Sequence, residues 1–267
     1  MGNLFHIDHA VYMIWISAAL TLLVLVVGAQ LAAHGAVAEG RFANLVEAMV
    51  EFVRENIVDE FLGHNGKQWF GFIAAIFFFI LFANLLGKLP MPPVFAHHLR
   101  PAQAEMESAQ PGEVARVGFE SPTGNINVTA CLAVLVFVVS QGVGLVKLGP
   151  LGYFKKKFIL PAAPLPIQIV AIPIMFLVLL AEPFSLAVRL FANMTAGHIV
   201  ILTFATAPLV GGLWLFDHSL LVKPAALLPF LLTVVLLAFE LFVAFIQAFI
   251  FALLSALYLS ESLEEHH

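Results

Sequence analysis

The sequence predicts an all-α integral membrane protein with about five membrane-embedded helices and one interfacial amphipathic helix, folded as a single polytopic domain over 1–267. Three observations carry that prediction. The 267 residues are 61% hydrophobic and only 11% charged, and the mean hydropathy of +1.00 lies far outside the water-soluble range. Apolar runs of spanning length recur along the chain, each able to cross a hydrocarbon core of about 30 Å. One further segment sets apolar residues at helical spacing among acidic ones, too polar to span and too regular for a loop. The net charge of −5 and the lack of a basic stripe exclude nucleic acid as a partner.

Taken in order, residues 1–9 carry no Lys or Arg, so the positive start of a signal peptide is missing and 12–31 reads as a retained first span. In 41–62, Phe42, Leu45, Val46, Met49, Phe52, Val53, Ile57 and Phe61 recur at helical spacing among Glu47, Glu51, Arg54, Glu55 and Asp59. This is the interfacial helix, and its acidic face favours a partner subunit over lipid headgroups. The second span, 69–88, opens on an interfacial Trp69 and ends near Asn84, an amide expected to bond a neighbouring helix. Residues 89–126 are rich in Pro, Gly, Glu and Gln and form an extramembrane loop, with Asn125 or Asn127 capping the next helix. The third span, 128–146, precedes Lys147 and Lys155 to Lys157, the densest positive cluster in the chain. Positive loops stay cytoplasmic, which puts the N-terminus outside, the 89–126 loop outside and the C-terminus inside. The lone Cys131, in an apolar run, reads as a small buried hydrophobe, and neither metal nor cofactor is expected.

The last two apolar runs, 164–207 and 224–260, would measure about 60 and 50 Å as continuous helices, so they must tilt, bend or project. Within the first, Arg189 lies far from either end, where insertion scales assign an arginine about 2.5–3.5 kcal/mol. Helical geometry gathers Glu182, Ser185, Arg189 and Asn193 into one stripe and turns His198 towards the other side. The bland reading of that arginine is interhelical glue paired to Glu182; the functional reading is a fixed cation on an ion path. Polar residues of the final run are few, notably Glu240 and Gln247, seven apart on one face. If the two runs form an antiparallel hairpin, His198 and Glu240 face each other, an imidazole and a carboxyl group suited to passing protons. An intramembrane enzyme built on that pair lacks a convincing third group.

Four stretches in order carry a resemblance: Asn84-Leu-Leu-Gly-Lys-Leu-Pro90, Pro122-Thr-Gly-Asn-Ile-Asn-Val-Thr129, Ser185-Leu-Ala-Val-Arg-Leu-Phe-Ala-Asn-Met-Thr-Ala-Gly-His198 and Gln247-Ala-Phe-Ile-Phe-Ala-Leu-Leu-Ser-Ala-Leu-Tyr-Leu259. Together they resemble subunit a of the F-type ATP synthase, the membrane stator that conducts protons past a rotating ring. The resemblance implies that the last two helices form a long, strongly tilted hairpin against that ring. It implies a gate at Arg189, which favours the ionised rotor carboxylate and blocks a proton short circuit. An outer half-channel would draw on Asn193, His198, Glu240 and Gln247, and an inner one would run near Ser185, with Asn84, Glu182 and Asn125 as further candidates. Gly87 and the Gly124-Asn125 pair stand where some relatives carry an acid. The implied partners are the c-ring of the rotor, the b subunits of the peripheral stalk and membrane lipid, in a bacterial inner membrane.

Overall fold

In hydrocarbon every backbone N–H and C=O must be satisfied within the chain, so apolar runs of this length fold as helices. The computed structural model describes residues 9–34, 40–88, 121–159, 164–215 and 222–263, and helices account for nearly all of them. The 89–120 part of the expected external loop lies outside the described residues, as do 1–8 and the end of the acidic tail.

Among the described residues six principal helices follow one another. They are α1 (His9–His34), α2 (Arg41–Val53), α3 (Gly66–Leu86), α4 (Ile126–Phe158), α5 (Leu165–Leu215) and α6 (Val222–Leu263). Among the described residues five stretches are long and apolar enough to cross a membrane, at Val11–Gln30, Ala43–Leu86, Ile126–Phe158, Pro166–Gly197 and Val234–Leu263. The chain is an all-α integral membrane protein.

The segment expected as one amphipathic helix over 41–62 is built in pieces: α2, a π-helical stretch Arg54–Asp59, a single turn Glu60–Leu62 and a 3-10 turn Gly63–Asn65. The wider π turn brings the neighbours Ile57 and Val58 both into the core, which an uninterrupted α-helix disfavours. Val46, Val53 and Leu62 are buried with them, while Glu47, Glu51, Glu55, Asp59 and Glu60 stay exposed. Leu45, expected on the apolar face, is instead exposed, because the buried stripe runs through Val46. Arg54 lies over the Phe70 ring, 5.0 Å from its centroid, a cation–π contact tying this segment to α3.

α3 stands at the centre. Ile73, Phe77, Phe78 and Ile80 are fully buried, and α3 packs on both α1 and α6. Phe77 meets Phe78 and Phe245 edge-on, with centroids 5.2 and 5.8 Å apart. Gly87, just beyond α3, lets Ser121 pack directly on the backbone: a Cβ there would stand 2.3 Å from Ser121 Cβ. An acid at this position would not fit that packing.

Asn125 begins α4 by accepting the Asn127 backbone N–H, so the capping residue of the two considered is Asn125. The helical assignment runs past 146 to Phe158 with one break, where Gly149 takes φ 68° and ψ 161° before Pro150. Lys147 before the break and two lysines of the last turn grip the end of α6. Lys147 donates to the Leu263 carbonyl at 2.8 Å, Lys156 to the Glu261 carbonyl at 2.7 Å, and Lys157 to Glu261 Oε1 at 2.9 Å. Cations placed on the free carbonyls of a helix C-terminus are favourable for both hydrogen bonding and the helix dipole. Cys131 is exposed rather than buried, because it sits on the outward side of α4 where apolar residues face lipid.

α5 and α6 have 51 and 42 residues, about 76 and 63 Å at 1.5 Å per residue, well beyond the hydrocarbon thickness. They pack antiparallel, since Asn193 meets Gln247 and Gly197 meets Glu240.

Candidate functional site

Two polar clusters, one buried and one part-buried, lie along the α5–α6 seam, with Arg189 between them. The first gathers around Glu240, whose carboxylate is 8% exposed on an otherwise apolar stretch of α6. Lys88, in the turn that ends α3, reaches it with Nζ 2.5 Å from Oε2, its own side chain 6% exposed. Its backbone N–H donates to the Leu85 carbonyl, which fixes the turn. The second carboxylate oxygen, Oε1, accepts no hydrogen bond from a described residue. Gly197 of α5 sits directly over this oxygen, where a Cβ would be only 2.8 Å away.

Asn193 and Gln247 complete this cluster one to two turns away. Asn193 Nδ2 donates to Gln247 Oε1 at 3.2 Å, and Gln247 Nε2 is buried with no acceptor among the described residues. Asn84 is 1% exposed; its amide Nδ2 reaches the Ala244 carbonyl at 3.5 Å, and its Oδ1 accepts from Thr123 at 2.6 Å. Ser121 extends the chain by bonding Thr123 and donating to the Ala83 carbonyl. A cavity of about 220 Å³ opens among these residues, lined by Asn84, Lys88, Asn193, Gly197, Glu240 and Gln247 with apolar neighbours. It is roomy enough for several waters, and the unpartnered Glu240 and Gln247 atoms supply the polar contacts that buried water needs.

The second cluster forms where α4, α5 and α6 meet. Glu182 accepts from Gln141 Nε2 at 3.4 Å and lies 3.7 Å from Lys157 Nζ, which also binds Glu261. Tyr153 hydrogen-bonds Gln141 Oε1. Glu182 is therefore engaged with Lys157. Arg189 has no hydrogen bond or ion pair with any described residue, so the reading of Arg189 as glue to Glu182 is not what the structure holds.

Arg189 and Ser185 are both exposed, in a row with Phe184, Val188, Ile199 and Val200. The stripe expected on α5 is thus divided. Glu182 turns towards α4, Asn193 towards α6, and Ser185 with Arg189 faces outwards. Position 198 is helical and next to the glycine that covers Glu240, but the His198 side chain lies outside the described residues. Asn125 is spent as the α4 cap.

Lys88 was not singled out by the sequence, although it stands within one of the four quoted stretches. A lysine two residues past the apolar end of a span reads as an ordinary interfacial cation, and its partner is 152 positions away. The signal available was its company: a basic side chain inside a stretch that carries the resemblance.

The sequence profile described as ATP synthase A chain matches residues 11–260. A Granulibacter bethesdensis protein named ATP synthase subunit a is 37% identical over 233 residues, 86% of this chain and 79% of its own length. Its namesake from Chloroherpeton thalassium is 36% identical over 261 residues, covering 96% of this chain and 67% of the relative. The Gluconacetobacter diazotrophicus protein of that name is 34% identical over 263 residues, covering 98% and 90% respectively.

Proposed function

The chain belongs to the ATP synthase A chain family, and from that premise we propose that it is the proton-conducting stator subunit of a rotary ATP synthase. It forms two offset half-channels that load and unload the carboxylates of the rotating c-ring, with Arg189 preventing a proton short circuit. It is a proton-translocating component of the synthase and not a catalyst on its own. One observation carries the reading: a permanently charged Arg189, exposed on a largely apolar face, between a polar cavity at Glu240 and a polar cluster at Glu182.

Glu240 and Glu261, which mark the two clusters, lie about 30 Å apart along α6, roughly the thickness of the hydrocarbon core. In the first cluster protons reach Glu240 through the cavity, with Asn193 and Gln247 alongside and Asn84 at its wall; the family resemblance assigns His198 to the same path. On the other side Ser185 and Glu182 line the exit. Arg189 cannot lose its proton, so it cannot relay one; it acts by favouring the ionised rotor carboxylate. A proton arriving from the outer side must board the ring, because a fixed positive charge bars the direct route.

The ring occupies the open face of α5, the b subunits of the peripheral stalk meet the acidic face of 41–62, and lipid covers the rest. The bacterial inner membrane is its place, with the N-terminus outside and the C-terminus cytoplasmic. The lysine grip on the end of α6 supports that orientation, since it sets the densest positive cluster and the C-terminus on the same side.

The experiment is proton uptake by vesicles holding the assembled complex, comparing wild type with Arg189→Ala, with and without the catalytic head. Loss of ATP-coupled pumping while passive flux persists or rises is expected. Unchanged coupled pumping would make Arg189 structural and overturn the assignment.

A further inference from the structure

Lys88 and Glu240 make a pair that the proton path does not obviously need. A relay requires a carboxylate that water can reach, and Glu240 Oε1 already fills that need. The ammonium group sits at the other oxygen, 2.5 Å from Oε2, in the position a bound metal cation would take. Alkali-metal ions are held by oxygen donors, and a carboxylate surrounded by amide oxygens is the strongest such set the cavity offers. Two of the side-chain amide oxygens of the lining are engaged, Gln247 Oε1 by Asn193 and Asn84 Oδ1 by Thr123.

Resting on the reading that Glu240 lies on the proton path, we infer that Lys88 is a tethered cation that fills the cation position of Glu240 and so excludes sodium from the cavity while leaving it open to protons. The charges of the lining support this. Lys88 and Glu240 are its only Lys, Arg, Asp or Glu among the described residues, and they cancel, so no net negative field draws a cation in. A proton is accepted at Oε1 without displacing the lysine, whereas sodium must displace it or bind beside a positive charge. Gly197 presses on the carboxylate from α5, which narrows the approach to the cavity side. Removing the lysine charge would leave one carboxylate with three amide side chains, Asn84, Asn193 and Gln247, around a space of about 220 Å³. That is the kind of oxygen donor set that holds a desolvated metal cation.

The test is passive proton flux through the assembled complex in vesicles, with sodium exchanged for choline at constant ionic strength. The arms are wild type, Lys88→Gln, Lys88→Arg and Glu240→Gln. Sodium should at least halve the flux of Lys88→Gln, reversibly, and leave wild type and Lys88→Arg unaffected relative to choline. Because the same ring serves every arm, a sodium response of the ring appears equally in all of them, and the difference between arms is the readout. Gln keeps a donor for Oε2; if Lys88→Gln nevertheless fails to assemble, Lys88→Met carries the same expectation. An equal sodium response in the neutral variant and wild type, with Glu240→Gln blocking flux, overturns the inference alone. Free proton flux in Glu240→Gln instead removes Glu240 from the path and overturns the reading beneath it.

Discussion

A methyl group on residue 197 would lie 2.8 Å from Glu240 Oε1, 3.3 Å from its Cδ and 3.3 Å from Lys88 Nζ. Both partners are buried and can yield only into the cavity they line, which lengthens or re-aims their contact. Hydrogen bonds to charged groups contribute about 1.5–3 kcal/mol, so Gly197→Ala should slow proton uptake by about tenfold or more. Proton flux normalised to assembled complex checks this; normal flux would show that the pair's geometry is not needed for conduction. Along the same wall, Glu240→Gln should nearly abolish uptake, whereas Gln247→Leu, which costs Asn193 a neutral acceptor worth about 1 kcal/mol, should have a milder effect. Comparable and negligible effects would reduce α6 to packing. Arg189→Lys should be inactive in coupled synthesis, because a lysine at depth sheds its proton and lacks the planar fork. Residue types were legible at this scale and their directions were not. Helical spacing put Glu182, Ser185, Arg189 and Asn193 in one stripe, but the stripe is broad enough for α4 to claim one edge and α6 the other. The Lys88–Glu240 contact joins elements 152 positions apart, and no periodicity within either run announces it.

Among the elements, α4 departs furthest from its reading as a sequence. The apolar run ends near Val146, and Lys147 with Gly149-Pro150 and three lysines looks like a cytoplasmic loop. The backbone instead turns once at Gly149 and resumes helix, because the lysines find the carbonyls at the end of α6 and Glu182 on α5. Those partners belong to later parts of the chain, so the loop reading was the natural one from local composition. Tyr153 packs on Gly144, where a Cβ would be 3.0 Å from its ring, and the hairpin-like bend depends on that close approach. Gly149 occupies a region of backbone space that is essentially restricted to glycine. Gly149→Ala should therefore cost about 1–3 kcal/mol and loosen the lysine grip on α6. Thermal unfolding of the detergent-solubilised complex should register the loss as earlier release of this subunit. An unshifted transition would mean that the bend relaxes without consequence. The spans themselves were legible because hydrocarbon leaves helices as the only solution for long apolar runs, whereas the π turn at Arg54–Asp59 answers to the α3 core and left no local mark.

For the molecule as a whole, the surface has two kinds of apolar exposure. Much of it is ordinary for a membrane protein: Trp15, Leu22, Val138 and Ile169 are exposed with no Lys, Arg, Asp or Glu within four positions along the chain, as lipid contact requires. The open side of α5 differs, because Phe184, Val188 and Ile199 surround an arginine. Lipid chains cannot neutralise a guanidinium at depth, and snorkelling is no remedy for a residue this far from either end of its helix. In the working assembly that face must be covered by protein bearing a negative group, which is the ring carboxylate under the proposed function. Single cysteines at Val188 and Ala192 should therefore crosslink to a ring subunit with a short reagent, on the cysteine-free background of Cys131→Ser. A cysteine at Trp15 should react with a lipid-soluble maleimide and capture no ring subunit. Crosslinks from Trp15 but none from Val188 or Ala192 would put the ring on the opposite side of the bundle and leave Arg189 without the partner its position demands.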